Sequence, residues 1–219
     1  MIGIIGQGFV GNAVYKKFKN FYEVLTYDID KDKCNSNIEE IVFKCENIFV
    51  CLPTPMSKDG SCDISIVDQT LSSIDLIADN LETFRNIVLK STIPPGTTEE
   101  FNKKFQSLKI IFNPEFLTER NAVKDYDNQK RIILGGPRPA TTELKTIFSK
   151  VFPKAHIIKT DSSYAEMVKY FTNTFLATKV SFANEMYEIC EGLNIDYDKV
   201  IEYARYDERL GDSHWAVPG

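Results

Sequence analysis

A glycine-rich turn near the N-terminus places the strongest constraint on the fold of this chain. The segment Gly6–Gly11 reads GQGFVG, which fits the pattern G-x-G-x-x-G, and it follows the apolar run Met1–Ile5 directly. Helical sequence follows the turn, and a second apolar run, Val24–Tyr27, comes next. Glycines in this context allow a tight turn and let backbone N–H groups approach a pyrophosphate at a helix N-terminus. The turn therefore predicts a dinucleotide site.

The acidic residue after the second run, Asp28, indicates which dinucleotide binds. It lies about 20 residues after Gly8, where a carboxylate receives the hydroxyl groups of the adenosine ribose. A carboxylate at this position also repels a 2′-phosphate. The sequence therefore predicts NAD as the cofactor, in preference to NADP.

Alternating apolar runs and helical patterns over residues 1–160 predict the fold class. We expect an α/β fold, namely a Rossmann-like, doubly wound and mostly parallel sheet, because short apolar strands are typical of sheets covered on both faces. The predicted strands are Met1–Ile5, Val24–Tyr27, Asn47–Cys51, Asn86–Leu89, Lys109–Phe112, Arg131–Leu134 and His156–Ile158. The predicted helices of this part are Gly11–Lys19, Ile64–Asn80, Thr97–Phe105 and Pro139–Lys150.

The pattern changes after Thr160, where we expect a long helix and then a small all-α segment. From Asp161 to Leu193 the sequence contains no glycine or proline before Gly192, and a second helical pattern spans Tyr197–Ala204. We therefore divide the chain into an NAD-binding domain, 1–160, and a central helical segment, 161–219. Apolar residues at helical spacing form a stripe that predicts a homodimer seam, with a bent or broken helix packed on the sheet as the alternative. The stripe consists of Tyr164, Val168, Phe171, Phe175, Phe182, Met186 and Ile189.

Composition excludes several classes of function. The net charge of -5 and the scattered lysines argue against a nucleic-acid partner. No apolar stretch approaches the roughly 20 residues that span a bilayer, and the N-terminus lacks the features of a signal peptide, so we expect no membrane association. Five cysteines without C-x-x-C spacing and two isolated histidines predict neither disulfides nor a metal site. A cytoplasmic protein with reduced thiols is expected.

Further motifs follow in a fixed order, and through them the chain resembles the UDP-glucose/GDP-mannose dehydrogenase family from end to end. The motifs are Leu52–Pro55 (LPTP) with Asp59, Gly60 and Asp63; Lys90–Thr97 (KSTIPPGT); Asn113–Glu119 (NPEFLTE) with Ala122, Asp125 and Arg131; Ala165, Glu166, Lys169 and Asn173; and Asp207, Arg209 and Gly211.

The resemblance implies an oxidoreductase that converts the C6 alcohol of a nucleotide sugar to a carboxylate with two NAD in succession. UDP-glucose is the expected substrate, and polysaccharide biosynthesis is the expected context. Together with the glycine pattern, the resemblance assigns cofactor binding to Gly6, Gly8, Phe9, Val10, Gly11, Asp28, Lys33, Thr54, Thr92 and Glu119. It assigns substrate binding to Glu115, Phe116, Leu117, Lys169, Asn173 and Arg209, and catalysis to Glu115, Lys169 and Asn173.

The chemistry of these residue types agrees with those roles. Lys169 and Asn173 are four residues apart and share one helical face, where an ammonium and an amide can stabilise an oxyanion at C6. Glu115 is suited to acid–base catalysis if burial raises its pKa. Taken alone, the first two would form a solvated helix face, and Glu115 would be a cap or an ion-pair partner. Their occurrence together with the other motifs favours the catalytic interpretation.

The chain departs from the family pattern in its cysteines. None of the five cysteines lies in a G-F-G-G-x-C loop, which carries the family's nucleophilic cysteine, and the family's second nucleotide-binding domain is not found. Thr118 and Arg120 also replace residues commoner in the family. We expect a partial form that is inactive alone. The alternatives are one half of a split enzyme, a non-catalytic NAD-binding or dimerisation module, and a dehydrogenase for GDP-mannose or another nucleotide sugar. The 6-phosphogluconate and hydroxyisobutyrate dehydrogenases are the nearest competing enzymes, and the KSTIPPGT and NPEFLTE motifs argue against them.

Overall fold

The computed structural model describes residues 1–218, and Gly219 lies outside the described residues. The chain divides into two units, Met1–Lys169 and Tyr170–Gly219, and one long helix crosses the boundary. The first unit holds the sheet, and the second holds most of the long helix and the segment that follows it.

Seven strands form one sheet in the first unit, in the order β2-β1-β3-β4-β5-β6-β7. All neighbouring pairs are parallel except β5 and β6, which are antiparallel. The mostly parallel sheet that the sequence predicts is thereby confirmed. The strands are β1 (Ile2–Ile5), β2 (Val24–Tyr27), β3 (Asn47–Val50), β4 (Arg85–Leu89), β5 (Leu108–Phe112), β6 (Arg131–Gly135) and β7 (His156–Thr160).

Eight α-helices occur in the described residues, two more than the sequence predicts. The additional ones, α2 and α5, are short, with seven and six residues. The helices are α1 (Phe9–Phe18), α2 (Ile38–Lys44), α3 (Ser65–Asn80), α4 (Thr97–Lys104), α5 (Ala122–Asp127), α6 (Arg138–Val151), α7 (Ser162–Gly192) and α8 (Tyr197–Ala204).

Two hydrophobic clusters cover the two faces of the sheet. One contains buried residues of α2, α3 and α4 together with Ala165 near the start of α7. The other contains buried residues of α1, α5 and α6, with Phe18, Phe49 and Phe148 packed ring against ring. Because successive strand side chains point to opposite faces, Ile48 and Val50 join the first cluster and Phe49 the second. The edge strand β7 differs from the expected pattern, since its residues are partly or fully exposed.

The strand order places a ligand crevice beside β1. The chain crosses from β2 to β3 over β1, so the connections after β1 and β3 leave the sheet in opposite directions. Ligands of open α/β sheets bind at such a point, at the carboxyl ends of the strands. Gly6–Gly11, Leu52–Pro55, Lys90–Thr97 and the start of Asn113–Glu119 all follow the carboxyl ends of parallel strands. The fold therefore gathers the sequence motifs along one edge.

The second unit is helical. Helix α7 runs without interruption for 31 residues, and α8 has the predicted bounds. Ala183 and Cys190 of α7 pack with Tyr197 of α8 in a small buried cluster. Among the stripe residues of this unit, Phe171, Phe175, Phe182 and Ile189 are exposed. No helix in residues 1–218 combines the length and apolar character needed to cross a membrane.

Candidate functional site

The loop between β1 and α1 forms the tight turn that the glycine pattern predicts. Gly6 has a φ of 91°, and a Cβ on Gly11 would lie 1.8 Å from the carbonyl oxygen of Gly6, so both positions require glycine. A Cβ on Gly8, which directly precedes α1, would meet no heavy atom of the described residues within 4 Å. The space beside Gly8 is therefore open at the start of α1, where helix N–H groups can bind a pyrophosphate.

The carboxylate of Asp28 is tied to this loop. Its Oδ2 accepts a hydrogen bond from the Gln7 N–H at 2.6 Å, and its Oδ1 accepts one from the Asp30 N–H at 2.9 Å. A carboxylate offers about four acceptor positions, so two bonds leave capacity for the two hydroxyls of a ribose. The geometry of Gly6–Gly11 and Asp28 thus fits NAD.

Three of the other predicted cofactor residues form hydrogen bonds or ion pairs near this loop. The hydroxyl of Thr54 donates to the carbonyl oxygen of Thr92 at 2.7 Å, which joins the loops after β3 and β4. Lys33 forms an ion pair with Asp30 at 3.0 Å and lines a cavity of about 400 Å³ that also includes Gln7. Lys33 is therefore a basic residue close to Asp28 in sequence, and Asp30 balances part of its charge.

Phe9 and Glu119 come together although 110 residues separate them. Both line a cavity of about 360 Å³. Phe9 is 61% exposed, and Glu119 lies on an exposed 3-10 turn before α5. Val10, by contrast, packs against the second hydrophobic cluster, so its side chain is partly buried in the core. A role for Val10 in cofactor binding would therefore involve the backbone of the loop.

Glu115 and Lys169 form a buried ion pair. The ammonium of Lys169 donates to the carbonyl oxygen of Glu115 at 2.6 Å and to its Oε1 at 2.7 Å, and their side chains are 5% and 14% exposed. The other carboxylate oxygen, Oε2, accepts from the Leu117 N–H at 2.7 Å. Both partners are thus fixed in direction. An ammonium held this way can stabilise an oxyanion, and a carboxylate beside it can accept a proton.

Phe116 lies beside this pair and faces two cations. The Lys169 nitrogen is 5.7 Å from the centre of its ring, and the Arg131 guanidinium carbon is 4.3 Å away. Both distances are in the range of cation–π contacts. The structure therefore brings together Glu115, Phe116, Leu117 and Lys169, four of the six residues to which the sequence assigns the sugar nucleotide.

The remaining two lie in the second unit. Asn173 is an exposed residue of α7. The guanidinium of Arg209, whose side chain is 88% exposed, pairs with the carboxylate of Asp207 in the same turn. Sequence reasoning did not foresee this local ion pair. A D-x-R spacing at the start of a turn is the signal that indicates it.

Sequence reasoning also gave no role to Glu166, whose carboxylate has no exposed surface. Its Oε2 accepts from the Gly96 N–H at 2.6 Å and its Oε1 from the Thr98 N–H at 2.9 Å. These N–H groups lie at the N-terminus of α4, where a helix has unpaired donors and favours negative charge. Glu166 therefore connects α7 to the end of the KSTIPPGT motif. An acidic residue among apolar neighbours one turn before Lys169 is the signal in the sequence.

The cysteines and histidines form no metal site within residues 1–218. All five cysteines are free. Burial raises the pKa of Cys45 to about 11 and that of Cys51 to about 12. Both therefore remain protonated thiols at neutral pH, when a nucleophile requires a thiolate.

Comparison with known proteins gives matches to two family models and to curated relatives. The model of the NAD-binding domain of the UDP-glucose/GDP-mannose dehydrogenase family matches residues 33–155, and the model of that family's central domain matches residues 163–219. The UDP-glucose 6-dehydrogenase AglM of Haloferax volcanii is 30% identical over 97% of this chain and 59% of its own length. The UDP-glucose 6-dehydrogenase TuaD of Bacillus subtilis is 30% identical over 96% of this chain and 53% of its own length.

A solved structure gives the same result. The UDP-glucose dehydrogenase of Pyrobaculum islandicum superposes with a TM-score of 0.89 and 26% identity, over 98% of this chain and 58% of that one. The present chain thus spans between 53% and 59% of the length of these relatives. Because one family model covers more than half of the chain and a second covers its remaining helical part, the chain belongs to the UDP-glucose/GDP-mannose dehydrogenase family, whose members are NAD-dependent oxidoreductases.

Proposed function

We propose that this chain is the NAD-binding and substrate-orienting part of a nucleotide-sugar 6-dehydrogenase that acts on UDP-glucose. The buried pair of Lys169 and Glu115, next to the carboxyl edge of a sheet that carries a glycine-rich turn, is the observation that supports the proposal most. The names of the relatives from Haloferax volcanii and Bacillus subtilis support UDP-glucose as the substrate. Polysaccharide biosynthesis and a cytoplasmic location remain parts of the same proposal.

The proposed cofactor site comprises the turn, the ribose carboxylate and the loops after β3, β4 and β5. Asp28 accepts the ribose hydroxyls, and the N–H groups at the start of α1 bind the pyrophosphate. When bound, NAD accepts a hydride from the sugar alcohol. The full set is Gly6, Gly8, Phe9, Val10, Gly11, Asp28, Lys33, Thr54, Thr92 and Glu119.

In the proposed substrate site, Lys169 stabilises negative charge on the oxygen at C6 and Glu115 takes or supplies a proton. The existing hydrogen bond between Lys169 and Glu115 gives a direct route for a proton between the two groups. Phe116 and Leu117 contribute the walls of the site next to this pair. We assign Asn173 and Arg209 of the second unit to the same substrate, and we keep the division into 1–160 and 161–219 as our proposal for the domain boundary.

Two other functions remain as alternatives. A dehydrogenase for GDP-mannose or another nucleotide sugar would use the same pair with a different base or sugar. A non-catalytic NAD-binding or dimerisation module would bind NAD and give no response to any nucleotide sugar. Titration calorimetry with UDP-glucose, GDP-mannose and UDP alone, each in the presence of saturating NAD, separates these cases.

We expect UDP-glucose to bind the NAD-loaded chain and to bind Lys169→Met at least about tenfold more weakly, because one charge-assisted hydrogen bond is lost. Lys145→Met, which changes an exposed lysine of α6, is the control and should leave the affinity unchanged. If GDP-mannose binds more tightly than UDP-glucose, GDP-mannose becomes the proposed substrate. If no sugar nucleotide binds, the result favours the non-catalytic NAD-binding or dimerisation module.

We also propose that the chain forms a homodimer through α7. The exposed fractions of Phe171, Phe175 and Phe182 are 71%, 58% and 55%, which is unusual for three large apolar residues at helical spacing. Sedimentation velocity should report about twice the 25.0 kDa chain mass. Phe175→Glu should lower the measured mass to that of the monomer. A wild-type protein that stays monomeric at high concentration would contradict the proposal.

A further inference from the structure

Lys90, directly after β4, is a charged residue with a buried side chain. The residue is only 3% exposed. Its ammonium donates to the carbonyl oxygen of Asn113 at 3.2 Å and to the Oδ1 of the same residue at 2.8 Å. The amide nitrogen of Asn113 in turn donates to the carbonyl oxygen of Ile133 in β6 at 2.8 Å. Lys90 therefore links the ends of β4 and β5, and through Asn113 it reaches β6.

Two lysines hold the two ends of one short turn. Lys90 binds Asn113, the first residue of the segment Asn113–Glu115, and Lys169 binds Glu115, the last. Pro114 between them restricts the backbone. The Leu117 N–H, which donates to the Glu115 carboxylate, fixes the direction of that side chain. The position of Glu115 thus depends on contacts at both ends of the turn.

Burial of the Lys90 ammonium is unfavourable for the fold alone. An apolar side chain of similar length would fill the same space without removing a charge from water. The pKa of Lys90 is lowered to about 8, chiefly by burial and also by the nearby Lys169, while Cys51 and Glu115 act in the opposite direction. A lysine at this position therefore indicates a task that only a cationic donor performs.

We propose that Lys90 is a positioning residue of the dehydrogenase site. Its ammonium holds Asn113 so that Glu115 faces Lys169 and the sugar. This inference rests on the proposed function for the identity of the sugar. The positioning itself is measurable without any substrate.

The other titratable groups that face Lys90 are Tyr126, Cys51, Glu115 and Lys169. The Tyr126 ring of α5 lies 5.4 Å from the Lys90 nitrogen, and burial raises the pKa of the Tyr126 phenol well above its usual value. The pKa of the Cys51 thiol, which follows β3, is raised to about 12. Neither group ionises near pH 8. Glu115 and Lys169, the remaining charged neighbours, form the pair that Lys90 is proposed to position.

Amide hydrogen exchange of the whole 219-residue chain tests the positioning. In Lys90→Met we expect the Leu117 amide to exchange at least about tenfold faster, while amides of β1 and α1 change less than about twofold. Lys145→Met, on exposed α6, is the control and should change neither. Leu117 protection within about twofold of wild type in a folded Lys90→Met chain would overturn the inference.

A measurement on the wild type alone covers the case in which Lys90→Met does not fold. The backbone amide signals of Asn113 and Leu117 should shift with a midpoint near pH 8, because loss of the Lys90 proton weakens its bonds to Asn113. An Asn113 signal that shifts with this midpoint while the Leu117 signal stays constant would overturn the inference, because the state of Lys90 would then not reach the Glu115 carboxylate.

Substrate binding separates this inference from the proposed function. If both hold, NAD-loaded Lys90→Met binds UDP-glucose at least about tenfold more weakly and binds NAD within about twofold of wild type. If the wild type binds no UDP-glucose but Leu117 loses protection in the variant, the positioning stands and the proposed substrate is wrong. If the wild type does bind UDP-glucose, equal affinity of the variant for it would overturn the positioning role whatever the exchange rates.

Discussion

The ammonium of Lys169 contacts Glu115 twice, at the backbone carbonyl oxygen and at the carboxylate, across a sequence separation of 54 residues. The pair joins the start of α7 to the loop after β5. Both side chains are largely buried, so water could not solvate either charge if its partner were removed. The relationship therefore has consequences for stability as well as for chemistry.

Removing one partner of the pair should destabilise the fold. We expect Lys169→Met and Glu115→Gln each to lower the free energy of unfolding by about 3 kcal/mol, because each leaves a buried group without its partner. The double variant should lose less than the sum. Urea unfolding followed by far-ultraviolet circular dichroism gives the three values. Losses that add within about 0.5 kcal/mol would show that the two residues do not interact.

The carboxylate of Glu166 should be a stabilising cap for α4. In Glu166→Gln the amide nitrogen meets one of the two backbone N–H groups that the carboxylate accepts from, Gly96 or Thr98. We expect a loss of about 2 kcal/mol in the free energy of unfolding. Glu99→Gln, an exposed change on the first turn of the same helix, is the matched control and should cost under about 0.5 kcal/mol. Equal effects of the two changes would contradict the capping role.

The buried Lys90 should make stability depend on pH in the alkaline range. Its pKa is about 8 in the folded chain against 10.5 for an ordinary lysine, so between these values the unfolded state binds more protons. The free energy of unfolding of the wild type should therefore rise with pH in this window relative to Lys90→Met, by at most about 3 kcal/mol. Below about pH 8 the difference between the two proteins should be constant. A constant difference up to about pH 10 would exclude the shifted pKa.

Local sequence patterns predicted much of the fold. The glycine turn and the apolar runs located every strand to within two residues, with β2 and α8 at their observed bounds. The missed helix α2 begins at a recognisable cap, where the Asn37 side chain accepts from the Glu40 N–H at 2.7 Å. Its seven residues are too few for helical periodicity to distinguish them from a loop. The antiparallel pairing of β5 and β6 also has no local signature, since it depends on how the chain returns after Glu119.

The candidate site depended on motifs more than on periodicity. The family resemblance placed Glu115 and Lys169 in one site, and the structure joins them by direct contact. What the sequence could not provide is the direction of buried polar side chains. Glu166 reaches across 68 residues to Thr98 and Lys90 reaches Asn113, and neither contact follows from spacing along the chain. Hydrogen bonds of this kind form between residues that are distant in sequence, and their partners are determined only by the packing of the folded chain.

The cysteines of the chain lead to a prediction about activity. Oxidation of an aldehyde to an acid needs a covalent thiohemiacetal, and Cys45 and Cys51 remain protonated because burial raises the pKa of both thiols. Cys190 is buried in the cluster of the second unit. None of the five cysteines lies in the loop that carries the family's nucleophile, so we expect the 219-residue polypeptide, assayed alone with NAD and UDP-glucose, to form no UDP-glucuronate.

Absorbance of NADH together with mass detection of the acid checks this expectation. Acid production should appear when a polypeptide that carries the family's cysteine loop and second nucleotide-binding domain is added. Robust production by the 219-residue polypeptide itself would show that one of its own cysteines is the nucleophile.

The affinity for NAD tests the central claim most directly, because the proposed dehydrogenase function depends on cofactor binding at Gly6–Gly11 and Asp28. Calorimetric titration of the wild type should give binding of NAD and at least about tenfold weaker binding of NADP, since Asp28 repels a 2′-phosphate. Asp28→Ala should lose most of the affinity for NAD, whereas Asp59→Asn, in an exposed turn, should keep it. Equal affinity of the wild type for NAD and NADP, or full affinity of Asp28→Ala for NAD, would contradict the account.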